Sequence, residues 1–129
     1  MSSMIKVKIY YHDTDCGGVV YYANYLKYLE QARTEFFAEK GVSIKELADS
    51  GIYFVVARQE LDYKSTAAYG DILEVYAQTS SVSAVRIEFE HEVKNSDGKV
   101  VCQGKTLLVC VDKDFKPKAM PQGLREKIA

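Results

Sequence analysis

Near its start the chain alternates. Ile5, Val7 and Ile9 stand between Lys6, Lys8 and Tyr10, a period of two that predicts a half-buried strand. After Asn24, a residue suited to cap a helix, the period changes. Tyr25, Leu29, Ala32 and Phe36 recur at helical spacing, and Leu26 and Phe37 widen the apolar stripe. A stripe this wide predicts a helix wrapped by other elements. Gly41 stops it. Ser43 and Glu46 then stand at capping-box spacing, so a second, short helix is expected over Ile44–Ser50, ended by Gly51.

From there the period returns to two. Tyr53–Leu61 is apolar and rich in strand formers, and Asp71–Ser80 follows a turn at Tyr69-Gly70. Val85, Ile87, Phe89, His91 and Val93 alternate cleanly with Arg86, Glu88, Glu90, Glu92 and Lys94. One apolar and one charged face is the mark of an antiparallel sheet. Asn95-Ser96-Asp97-Gly98 is a hairpin turn, and Lys99–Val111 returns from it. That strand is apolar on both faces through Val109, which places it inside the sheet. The tail after Asp112 carries Pro117 and Pro121 and reads as loop with a short final helix. One long helix cannot cover both faces of such a sheet. An edge or an apolar patch is left for a second copy, so an obligate dimer is expected.

Composition narrows the possibilities. At 129 residues, a single domain over 1–129 is expected. Seventeen basic against 18 acidic residues leave a net charge of −1, so no bulk field draws nucleic acid. No apolar run approaches the roughly 20 residues of a membrane span. The N-terminus lacks the run of a signal peptide. Three cysteines, Cys16, Cys102 and Cys110, lack metal-ligand pairing and read as reduced thiols in a cytoplasmic protein. Ten tyrosines are many, and four of them fall between Tyr10 and Tyr22.

Those tyrosines surround the densest chemistry in the chain, Tyr10-Tyr11-His12-Asp13-Thr14-Asp15-Cys16-Gly17-Gly18-Val19-Val20-Tyr21-Tyr22-Ala23-Asn24-Tyr25. Acidic residues and a glycine turn precede a helix start, where backbone N–H groups lack partners and the helix dipole is positive. A carboxylate beside N–H groups that can polarise a carbonyl is the minimum equipment for acyl transfer. Asp13 and Asp15 also suit plain turn formation. His12 could join them around a metal ion, but the three lie too close in sequence to complete a site. It reads as a partly exposed structural residue, and His91, on an apolar strand face, as a core or interface histidine. Cys16 is a poor nucleophile beside Asp15, because a carboxylate raises a thiol pKa. Glu30, Arg33 and Glu35 read as a solvated helix face. A D-x-D-x-G run also occurs in aspartyl-nucleophile phosphatases, but those need a parallel α/β sheet, which this pattern does not give.

The motif Y-x-D-T-D-x-x-G-x-V-Y-Y-x-N-Y before a long helix resembles the 4-hydroxybenzoyl-CoA thioesterase-like branch of the hotdog superfamily, close to the Tol–Pal-associated acyl-CoA thioesterases. Tyr63-Lys64-Ser65-Thr66-Ala67-Ala68-Tyr69-Gly70-Asp71 is similar to the family's second motif. Val109–Asp112 and Lys116–Pro121 resemble its closing strand and tail. The resemblance implies an α+β hotdog fold, a bent antiparallel sheet wrapped around one long central helix, in homodimers or homotetramers. It implies acyl-CoA thioester hydrolysis, with Asp15 as base or nucleophile and the Tyr22 backbone N–H polarising the carbonyl. Gly18, Val19, Tyr21, Asn24, Tyr63, Lys64 and Ser65 fall on its substrate-binding positions. Residues around Tyr63–Ala67 would come from the partner subunit. Coenzyme A is then part of the substrate, and neither a cofactor nor a metal is implied. Tyr22 stands where many relatives have histidine, and Thr66 and Ala68 replace the second motif's usual proline and basic residue. The competing expectation is a hotdog module that binds acyl-CoA without cleaving it.

Overall fold

A computed structural model describes residues 3–129. The elements run β1 (Ser3–Lys8), α1 (Asn24–Glu39), α2 (Ile44–Asp49), β2 (Tyr53–Tyr63), β3 (Ile72–Val82), β4 (Arg86–Lys94), β5 (Val100–Val111) and α3 (Gln122–Ile128). The strands form one five-stranded sheet in the order β1-β3-β4-β5-β2, with every neighbouring pair antiparallel. β5 lies between β4 and β2, as its two apolar faces predict. β1 and β2 are the edges.

The alternation in β4 decides which face is covered. Ile87, Phe89, His91 and Val93 are buried, while Arg86, Glu88, Glu90, Glu92 and Lys94 lie on the other face. α1 packs on the buried face and reaches across the sheet. The Glu39 carboxylate accepts from the Ser3 hydroxyl on β1. Phe36 meets Phe89 on β4 edge-on, and Phe37 stacks on Phe54 of β2. Tyr25 lies against Tyr63 at the far end of β2. A sheet order that returns β2 to the edge beside β5 lets one 16-residue helix touch both edges. This is the α+β hotdog arrangement that the resemblance implies.

Two local details differ from the sequence reading. Asn24 is the first residue of α1 rather than its cap; the cap position is Ala23, in helical conformation, and makes no side-chain bond. Asn24 instead turns its amide back to Asp13, 3.1 Å from the backbone carbonyl. The short helix starts as expected, with the Ser43 hydroxyl accepting the Glu46 N–H at 3.2 Å. β2 carries a bulge between Val56 and Arg58. The extra residue puts Val56 and Gln59, opposite Leu108 and Thr106, on the same face of the sheet. That face looks toward α1.

Candidate active site

The loop joining β1 to α1 is held by its own polar groups. Residues 11–13 form a single 3-10 turn, closed by Asp13 N–H to Tyr10 O at 3.0 Å and Thr14 N–H to Tyr11 O at 3.0 Å. Asp13 is the knot of this loop. One carboxylate oxygen accepts the Tyr10 N–H at 2.8 Å. Its carbonyl accepts the Tyr21 N–H at 2.9 Å and the Asn24 amide at 3.1 Å. Its side chain is only 13% exposed. The Tyr28 hydroxyl, buried beside Asp13 and Asn24, meets neither at good hydrogen-bond geometry, and burial first and Asp13 second push its pKa up.

Asp15 sits two residues on and is used differently. Its N–H donates to Val19 O at 2.9 Å, and its carbonyl accepts the Gly18 N–H at 3.1 Å. Thr14 and Val20 pair as a bridge beyond it. This is a tight hairpin with Gly18 in the left-handed region at φ 82°, a backbone that glycine adopts without steric penalty. The Asp15 Oδ1 accepts the Gly17 N–H at 2.7 Å, and Oδ2 makes no bond among the described residues. A Cβ on Gly17 would stand 3.2 Å from that Oδ1. The residue is exposed.

The returning arm of the hairpin leads into the helix. Val20 N–H donates to Ala67 O at 2.8 Å, and Val19 bridges to Ala68, so the two sequence motifs meet within one chain. Asn24 N–H closes a turn onto Tyr21 O at 2.9 Å. Between them, the Tyr22 N–H has no acceptor among the described residues. Tyr22 is 61% exposed; its ring contacts Tyr21 and Tyr63, and its carbonyl accepts the Tyr63 hydroxyl at 3.1 Å. Burial raises the Tyr63 pKa, which keeps that hydroxyl a donor. Burial likewise pushes Tyr25, packed on Tyr63, up to about 12.

Of the positions expected to meet substrate, Gly18, Val19, Tyr21, Asn24 and Tyr63 thus belong to this one locality. Lys64 and Ser65 are tied elsewhere. Both backbone N–H groups go to Val101 O, and the Ser65 hydroxyl goes to Val100 O at 3.0 Å. Tyr63, Ala67 and Ala68 reach the loop within the same protomer. His12 is exposed and stacks on Tyr10, and Cys16 is an exposed turn residue. Among the described residues no three His, Cys, Asp or Glu side chains gather to hold a metal ion, and no helix is long and apolar enough to cross a membrane.

Arg33 corrects the sequence reading. It is not on a solvated face; it is 7% exposed, and its Nη1 donates to Thr106 Oγ1 on β5 at 3.1 Å. His91 Nε2 lies 3.4 Å away, and His91 Nδ1 is 3.1 Å from Tyr76 O. Burial, then the Arg33 charge, push the His91 pKa down to about 4, so the ring is neutral near pH 7. The signal was present in the helical spacing: Arg33 is four residues after Leu29 and four before Phe37, inside the apolar stripe.

The fold is that of a hotdog protein. The chain belongs to the thioesterase-like superfamily, whose model matches residues 10–128. It is 34% identical to the acyl-CoA thioester hydrolase YbgC of Escherichia coli O6:H1 over 119 residues, 92% of this chain and 89% of that one. Among solved structures it resembles the DHNA-CoA thioesterase of Staphylococcus aureus, with a TM-score of 0.89 at 28% identity, over 92% of this chain and 80% of that one. The fold also superposes on a 1,4-dihydroxy-2-naphthoyl-CoA thioesterase from Synechocystis with a TM-score of 0.91, at 21% identity, over 99% and 96% of the two chains.

Proposed function

We propose that the protein hydrolyses acyl-CoA thioesters, with Asp15 and the Tyr22 N–H as its two working groups. One observation carries the reading. A single hairpin presents on one arm a carboxylate oxygen with no partner among the described residues, and its other arm runs to a backbone N–H that has no acceptor among them. The N–H at the helix start receives the thioester carbonyl oxygen and stabilises the oxyanion, an interaction worth about 3 kcal/mol. Asp15 takes a proton from water as the water oxygen bonds to the carbonyl carbon. Collapse of the tetrahedral species breaks the C–S bond, and the proton passes to the departing coenzyme A thiolate. In the covalent variant Asp15 attacks the carbon itself, the C–S bond breaks, and coenzyme A leaves as a thiolate that takes a proton from water. A second water then cleaves the mixed anhydride to the free acid and the Asp15 carboxylate.

The loop is open to solvent in a single chain, and β2 is an edge strand with Val56 and Tyr63 exposed. A second copy pairing along β2 would extend the sheet, cover these side chains and close the site. A stable monomer in sedimentation at micromolar concentration would contradict that assembly. The activity is tested by thiol release from a panel of aliphatic and aromatic acyl-CoAs. Release from at least one class supports the reading. Binding of the whole panel without release makes the protein a carrier module instead.

A further inference from the structure

Arg33 is a buried cation with no buried anion bonded to it among the described residues. Its Nη1 is spent on Thr106 and faces His91, which is neutral. The Nε and Nη2 N–H groups make no bond among the described residues, and neither is sealed from solvent. Removing a guanidinium from water is unfavourable unless its donors are met. Arg33 lines a cavity of about 610 Å³ between α1 and β2, walled also by Leu26, Lys27, Gln31, Val56 and Gln59. Glu30 shares the rim, but it is exposed, and its carboxylate faces the Thr34 hydroxyl at 3.4 Å.

The cavity is aligned with the proposed chemistry. Leu26 is the third residue of α1, which begins two residues after Tyr22, and on β2 Gln59 and Val56 follow Tyr63 away from the loop. From Asn24, two residues after Tyr22, to Arg33 the helix rises about 14 Å. Leu26 and Val56, both exposed, give the groove apolar walls. Its far end holds a cation whose two remaining donors lie on one edge of a planar group, the geometry that matches both oxygens of a carboxylate. Gln59 offers nothing more there: its Oε1 accepts from Thr106 at 2.6 Å, and its amide donates to Lys105 O and Glu60 O.

We propose that this groove receives the acyl portion of the substrate, that the preferred acyl groups end in a carboxylate, and that Arg33 recognises that end. The inference rests on the thioesterase reading above and names its substrate class. The test compares purified protein on two series of acyl-CoAs of graded length, one ending in methyl and one in carboxylate. At the length that spans the groove, kcat/KM for the carboxylate member is expected to be at least about tenfold higher, and Arg33→Gln is expected to remove that preference. A second measurement needs no variant: free dicarboxylic acids should inhibit at lower concentration than monocarboxylic acids of equal length. Release of coenzyme A at equal rates from both series, or a preference that survives Arg33→Gln, overturns this inference and leaves the thioesterase reading standing. No release from either series overturns the reading beneath it.

Discussion

The same five-residue turn is built at two ends of the molecule, once at Asp15–Val19 and once at Asp112–Lys116. In each, the first N–H donates to the fifth carbonyl, at 2.9 Å in both. The fourth N–H returns to the first carbonyl, at 3.1 and 3.0 Å. The first carboxylate accepts the third N–H, at 2.7 and 2.8 Å. Asn95–Lys99 is a third copy, with the Asn95 side chain in the same role. The differences are two. At Asp112 and Asn95 the same side-chain oxygen also takes the fifth N–H, at 3.1 and 2.9 Å, and at Asp15 it does not. The fourth position is Gly18 or Gly98 in two copies but Phe115 in the other, at φ 62°. An aspartate can therefore make the turn and still hold acceptor capacity in reserve. Shaping the loop and doing chemistry are compatible duties at Asp15.

The comparison breaks most visibly at the two aspartates. Asp15→Asn removes the base and keeps the turn, because Asn95 already supports the same turn with an amide oxygen. Turnover of the best acyl-CoA is expected to fall at least about 100-fold with an unchanged melting temperature. Asp112→Asn, the matched change in the other turn, should leave turnover within about twofold of wild type. Equal effects at the two positions would mean that Asp15 serves the turn and nothing else.

How far the sequence could have reached the same distinction depends on which physics was local. Strand and helix positions follow from periodicity, because a buried face must repeat with its element, and β4 and β5 read correctly for that reason. Turns at Gly18 and Gly98 were legible from glycine. The choice between Asp13 and Asp15 was not. Which carboxylate becomes the knot and which keeps an oxygen unbonded depends on how the loop folds back onto Asn24 and Tyr10, and no spacing rule encodes that. Only the family resemblance pointed to Asp15. Asn24 was misread for the same reason, since its amide serves the loop instead of the helix end. Arg33 was legible and missed: charge suggested solvent, while the i and i+4 spacing from Leu29 placed it in the core-facing stripe.

A smaller effect isolates carboxylate placement from carboxylate presence. The third residue of the turn is Gly17, where a Cβ would come within 3.2 Å of the Asp15 Oδ1. In the matched turn that residue is Asp114, so the backbone itself accepts a side chain there. Gly17→Ala is expected to lower kcat about three- to tenfold by shifting the Asp15 oxygen a few tenths of an ångström, with little change in melting temperature. An unaltered kcat would show that the position of Oδ1 is not critical. A drop in stability equal to the drop in activity would trace the effect to the fold.

The smallest effect tests the fourth position, where the two turns differ without any chemistry at stake. A side chain at positive φ is strained by about 1 kcal/mol, and Phe115 is 73% exposed, so little packing offsets that strain. Phe115→Gly exchanges the strain for extra freedom in the unfolded chain and should raise stability by about 0.5 kcal/mol. Gly18→Ala runs the exchange in reverse and should lower stability by about 0.5 kcal/mol, a melting shift of about 2 °C, measured at one fixed protein concentration. If Phe115→Gly is instead destabilising, the exposed ring is held by a surface that a single chain does not display, and the two turns differ in partnership as well as in strain.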